Sequence, residues 1–221
     1  MFILGLTGSI GMGKTTTGGF FAARGVPVHD ADAVVHALYT GAAVAPVEAA
    51  FPGVAVDGRI DRSRLGARVL GDAAAMARLE AIVHPLVQAA EDSFLQRARK
   101  AGAPLVVLDI PLLFEGSGHK RVDATMVVSS PYFLQRQRVL SRPGMTAEKF
   151  DDIHRRQVHD SIKRRRADFI LPSNGGIGPT RAALAKALKD LRARKGKFWP
   201  GRPLYERRVA EVARSRRGRP L

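Results

Sequence analysis

Cysteine is absent from the 221 residues. Disulfides therefore contribute nothing to stability, and thiol catalysis and thiolate-metal sites are excluded. A reducing cytoplasm is compatible with this composition. The chain also lacks any run of about 18 apolar residues, so no transmembrane span and no membrane partner are expected. Met1 to Leu6 carry no basic flank, and Lys14 interrupts the apolar stretch early. These residues are expected to form a buried strand and not a signal peptide, in a cytoplasmic protein. No internal repeat is visible, and no feature specifies an oligomer. Acidic residues are few: 20 Asp+Glu face 36 Lys+Arg, a formal charge of +16. Such a field attracts polyanions, whether nucleic acids, anionic membranes or nucleotides. Eleven of the basic residues fall in the last thirty positions, opposed only by Glu206 and Glu211. The excess is largely that of a basic tail, so no specific nucleic-acid partner is expected.

What is present is an alternation of Val-, Ile- and Leu-rich runs with longer helical patterns, the mark of a parallel sheet with crossover helices. Strands are expected at Phe2–Thr7, Val26–His29, Leu105–Asp109, Thr125–Val128 and Asp168–Leu171. Helices are expected at Lys14–Arg24, Asp32–Tyr39, Ala74–Lys100, Pro131–Ser141, Ala147–Arg164 and Pro179–Arg194. About 75 residues separate the second and third strands, far more than one crossover helix needs. This Ala-rich stretch, 33–103, reads as an inserted helical region with a turn at Phe51-Pro52-Gly53. Residues 195–221 read as a basic tail, loosely attached, with a short helix at Tyr205–Arg214.

Gly8-Ser9-Ile10-Gly11-Met12-Gly13-Lys14-Thr15 satisfies the pattern G-x-x-x-x-G-K-[ST] at every constrained position, between an expected strand and an expected helix. Glycines let successive backbone N–H groups turn inward around an anion. The helix that follows directs its positive end at the same phosphates. Lys14 is expected to bridge β- and γ-oxygens, with the Thr15 hydroxyl in the shell of Mg²⁺. The expected fold class is thus α/β, a P-loop NTPase with a five-stranded parallel sheet flanked by helices. The loop names ATP and magnesium without naming an acceptor.

Ligands of such sheets sit at the carboxyl ends of the strands. Asp30-Ala31-Asp32 ends the second expected strand, where two acids two residues apart share a side if the backbone stays extended. One could orient and deprotonate an acceptor hydroxyl or help hold the metal; alternatively, Asp32 only caps the next helix. Leu105-Val106-Val107-Leu108-Asp109 reads as a buried strand ending in the carboxylate that holds Mg²⁺ through water, although such a run also occurs by chance. His84-Pro85 lies inside a helical pattern that Pro85 is expected to break or kink, aiming His84 into a cleft or leaving it exposed. Arg138 and Arg142 stand four apart in a charged helical hairpin, 136–164, suited either to a lid over ATP or to a solvated surface.

The combination resembles the dephospho-CoA kinase family. The resemblance rests on Gly5 to Thr16, on Asp30-Ala31-Asp32 followed by His36, and on Leu79-Glu80-Ala81-Ile82-Val83-His84-Pro85. It extends to Asp109-Ile110-Pro111-Leu112-Leu113-Phe114-Glu115, to Gln135 through Arg142, and to Ala167-Asp168-Phe169-Ile170 with Asn174-Gly175. Met12 and Thr15 stand where the family often has a small residue and a serine, and an arginine often replaces His36. The tail beyond Arg194 matches no motif of the family. The resemblance implies a nucleotide-binding core (1–32, 104–135 and 165–194), a helical CoA-binding region (33–103) and a lid (136–164). It implies phosphorylation of the ribose 3′-hydroxyl of dephospho-CoA by ATP, the last step of CoA biosynthesis. Carried over, Asp32, Lys14 and Arg142 become catalytic; Gly8, Gly11, Met12, Gly13, Lys14, Thr15, Thr16 and Arg138 bind ATP. Asp30 and His84 become substrate-binding, and Thr15 and Asp109 hold the metal. The nearest rival is another nucleoside or nucleotide kinase. A nucleic-acid-dependent ATPase or GTPase is a rival of a different class, disfavoured because N-K-x-D is missing and a second large domain has no room.

Overall fold

The structure, a computed structural model, describes residues 1–116 and 118–197; the helix expected at Tyr205–Arg214 lies outside the described residues. The chain opens with β1 (Phe2–Thr7), α1 (Lys14–Ala22) and β2 (Val28–Asp30). Then come α2 (Ala31–Leu38), α3 (Val44–Ala50), β3 (Ala55–Val56), β4 (Arg59–Ile60), α4 (Arg62–Val69) and α5 (Ala73–Lys100). Alternation resumes with β5 (Leu105–Asp109), a 3-10 turn at Gly118–Arg121, β6 (Ala124–Ser129) and α6 (Tyr132–Leu140). The last elements are α7 (Ala147–Arg156), α8 (Asp160–Arg166), β7 (Phe169–Pro172) and α9 (Ile177–Ala193). Two compact units result: Met1–Asp30 with the described residues from Arg97 onward, and Ala31–Gln96.

The first unit is built on a five-stranded sheet of order β2-β5-β1-β6-β7, parallel throughout. Every residue of β1, β5 and β6 is buried, which is why these strands read as largely apolar runs and not as alternating ones. Phe21 of α1 and Leu184, Leu188 and Leu191 of α9 join Leu4, Leu6, Val107, Met126 and Val128 in one core. The i, i+4, i+7 spacing of the α9 leucines lays a single stripe on the sheet. β2 starts two residues later than expected because Val26 donates its N–H to Phe21 and Pro27 has none to give. The single helix expected over 147–164 is two. Gln157 turns extended (φ −92°, ψ 145°) and ends α7, and the His159 ring caps α8 by accepting the Ser161 N–H.

The second unit has its own core of Val47, Phe51, Val54, Ile60, Leu65, Val69, Leu79 and Val83. It is not purely helical, as β3 and β4 form an antiparallel hairpin. Asp57-Gly58 makes its turn with φ of 50° and 73°, the pairing that a two-residue hairpin loop demands. Pro85 does not break α5, which runs 28 residues through it. Ala75, Leu79 and Val83 before the proline, and Leu86 and Val87 after it, pack on the same core, so the buried face outweighs one missing hydrogen bond.

Candidate active site

The loop Gly8–Gly13 leaves β1, the central strand, and enters α1. The order β2-β5-β1-β6-β7 places it where the chain, having filled one side of the sheet, crosses to the other, the switch point where α/β sheets bind ligands. Gly13 stands at the N-cap of α1 with φ 93°. Gly11 has φ 76°, and a Cβ there would lie 2.5 Å from Val139 and 2.9 Å from the Gln135 carbonyl. Gly8 is pressed against the Val128 carbonyl, 2.8 Å from where a Cβ would be. The loop is therefore closed to larger residues at these points. The first bond within α1 runs from the Thr17 N–H to the Gly13 carbonyl, no described side chain caps the helix, and no acid lies in its first turn. The leading N–H groups and the positive end of α1 together make a seat for an anion.

Lys14 and Asp109 meet across this seat, Nζ lying 2.5 Å from Oδ1. Asp109 is 2% exposed and stands beside Asp30 in the register of β5 with β2. Two carboxylates thus sit at the carboxyl ends of neighbouring strands, one of them holding the loop lysine. Thr15 and Thr16 are exposed on the first turn of α1, while Met12 is buried and its sulfur receives the Ser130 N–H at 3.1 Å. His29, one residue before Asp30, is buried; desolvation holds its imidazole below the ordinary 6.5, with Arg97 and Arg121 acting in the same direction and Asp30 opposing.

Three uncharged side chains that sequence reasoning missed hold the loop from outside. Gln135 donates to the Ile10 carbonyl (2.8 Å), Gln157 accepts the Ile10 N–H (3.0 Å), and the Ser173 hydroxyl donates to the Met12 carbonyl (2.7 Å). Arg138 reaches this set by donating to the Ser173 carbonyl (2.7 Å) and hydroxyl (3.2 Å). Arg142 parts from it: α6 ends at Leu140, Ser141 is the C-cap, and the exposed Arg142 lies beyond it. The two arginines do not share a helix face. A cavity of about 500 Å³ borders the loop only through Met12, with Ser130, Tyr132, His154, Asp160 and Asn174 among its lining.

Two expected residues belong to the second unit. Asp32 is exposed in the first turn of α2. Since α2 begins at Ala31, the position before the helix is that of Asp30, and Asp32 is not the cap. The argument from an extended backbone stops at Asp30 for the same reason. His84 is exposed on α5.

A phosphate loop at the switch point, with its lysine anchored on the acid that ends the neighbouring strand, defines a nucleotide-binding protein of the P-loop class. The profile of the dephospho-CoA kinase family matches residues 2–179. The chain is 58% identical over 196 residues to the dephospho-CoA kinase of Mesorhizobium japonicum, covering 89% of this chain and all of that one. It is 56% identical to that of Rhizobium meliloti over 193 residues, 87% of this chain and 100% of the relative. A Thermus thermophilus crystal structure superposes with a TM-score of 0.78 at 35% identity, over 86% of this chain and 96% of the other. The chain belongs to the dephospho-CoA kinase family. Among the described residues no helix is long and apolar enough to cross a membrane.

Proposed function

We propose that this chain transfers the γ-phosphoryl group of ATP to the ribose 3′-hydroxyl of dephospho-CoA, giving CoA and ADP in the last step of CoA biosynthesis. The observation that carries this reading is the Gly8–Thr15 loop with Lys14 fixed on Asp109, in a chain of this family. In it the N–H groups of Gly11 to Thr16 cradle the phosphates, with Gly8 shaping the turn. The Lys14 ammonium has three donors and can hold Asp109 and a phosphate oxygen together. Arg138 lies beside the nucleotide, and Arg142 closes on the transferring group with the 136–164 lid. The 33–103 region receives the acceptor: Asp32 orients or deprotonates the 3′-hydroxyl, and Asp30 and His84 line the substrate side. The core and lid boundaries are those given above.

Magnesium suits the donors at hand. Thr15 and Asp109 offer hard oxygens, and no cluster of three or more acids or histidines among the described residues could cage an ion. Mg²⁺ keeps water and phosphate ligands and takes few from protein. When bound it would neutralise phosphate charge during transfer. The chain's own part is positioning: the loop and Lys14 align the donor, Asp32 the acceptor, and closure keeps water out. The protein works in the cytoplasm, with ATP and dephospho-CoA as its partners.

Incubating purified protein with ATP and either dephospho-CoA, nucleosides or nucleoside monophosphates tests the reading. Formation of CoA and ADP with dephospho-CoA is expected. Turnover with a nucleoside monophosphate alone would reject it.

A further inference from the structure

The two hydrogen bonds on Ile10 have a consequence for catalysis. Anion cradles bind most tightly when their N–H groups already face the phosphates before the nucleotide arrives. Gly11 can adopt many conformations, and its φ of 76° is not enforced by any side chain of its own. The Ile10–Gly11 peptide is planar, so fixing the Ile10 carbonyl on Gln135 also fixes the direction of the Gly11 N–H. The preceding peptide is fixed by Gln157, whose Oε1 accepts the Ile10 N–H at 3.0 Å. That N–H is thereby turned away from the cradle, and the loop is gripped on both sides of one residue.

Gln157 is itself held. It ends α7 in an extended conformation, and the next N–H, that of Val158, donates to Glu115 Oε1 at 2.9 Å. The same oxygen lies 2.9 Å from Nζ of Lys163, which is fully buried. Asp160, at the start of α8, accepts the Ser129 hydroxyl at 2.8 Å. The segment 157–163 is thus tied to β6, to Glu115 and to the phosphate loop.

We infer that Gln157 is a positioning residue for nucleotide binding: its carboxamide, braced by Glu115 and Lys163, holds the phosphate loop in its binding shape. The inference rests on the reading of that loop as the ATP site. The test is titration of the full chain with Mg-ADP, which needs no acceptor, alongside ATP kinetics. Two variants are used: Gln157→Met, which keeps length and removes the acceptor, and Gln157→Asn, which draws the amide back by one methylene. In both, the ADP dissociation constant and the KM for ATP are expected to rise about tenfold, one hydrogen bond's worth. The kcat at saturating ATP is expected to stay within about threefold, since the loss is in binding that ground and transition states share. Unchanged ADP affinity in a folded variant, or a loss confined to thermal midpoint or to kcat, overturns the inference. Absence of ADP binding in the unaltered protein overturns the ATP-site reading and the inference together.

Discussion

Lys163 makes the sharpest energetic prediction. Its side chain is 0% exposed and its ammonium lies 2.9 Å from Glu115, which is 15% exposed. At an effective dielectric of about 20, two unit charges at that separation attract by roughly 6 kcal/mol, much of which offsets the desolvation of the pair. Removing one partner leaves the other charge buried, and such losses run at about 3–5 kcal/mol. Lys163→Met keeps the aliphatic stem and deletes the charge, so that among the described residues the carboxylate is left with the Val158 N–H. Urea unfolding followed by circular dichroism is expected to show a loss of about 3–5 kcal/mol, or roughly 6–20 °C in midpoint temperature for a chain of this size. Glu115→Gln should cost a comparable amount. The double variant should be far less destabilised than the sum, because it leaves no buried charge unpaired. A loss below about 1 kcal/mol for Lys163→Met, or additivity of the two changes, would refute the reasoning.

Lys14→Ala removes the ammonium that Asp109 anchors and is expected to lower kcat/KM by on the order of 10²-fold or more; unchanged CoA formation would contradict the loop's role. Asp32→Asn is expected to reduce kcat by about 10²–10⁴-fold while leaving Mg-ADP affinity near that of the unaltered protein, so normal turnover would remove Asp32 from the mechanism. His29 is held neutral by burial, its folded pKa lying below the unfolded 6.5. The unfolded chain therefore takes up the proton first, and the stability present above pH 6.5 is lost as pH falls through the window beneath it. His29→Gln should flatten that part of the stability–pH curve, and an unaltered slope would show that other groups govern it.

Some elements were legible because a short stretch must satisfy every constraint alone. The glycines of the phosphate loop are such a case: Gly11 is needed for its own φ and for its approach to Val139 and Gln135, so the demand falls on one residue. The same holds for β1 and β5, buried on both faces and apolar up to the Thr7 and Asp109 that end them. Asp57-Gly58 carried an equally local signal for the β3–β4 hairpin, hidden by the Ala-rich helical sequence around it. Pro85 does not end its helix, because the local penalty is set against packing on Leu79, Val83, Leu86 and Val87, which is settled by the unit and not by the proline.

The sequence by itself determined the phosphate loop, the parallel sheet that presents it and the family to which the chain belongs, because each is written in residues adjacent along the chain. Only the tertiary structure decided which side chains hold that loop. Gln157 and Gln135 reach Ile10 across 147 and 125 positions, and no local pattern separates them from solvated glutamines. Lys163, inside the run Lys163-Arg164-Arg165-Arg166, reads as one more surface charge. It is the fold, by bringing Glu115 to it in the interior, that makes this lysine unlike its exposed neighbours.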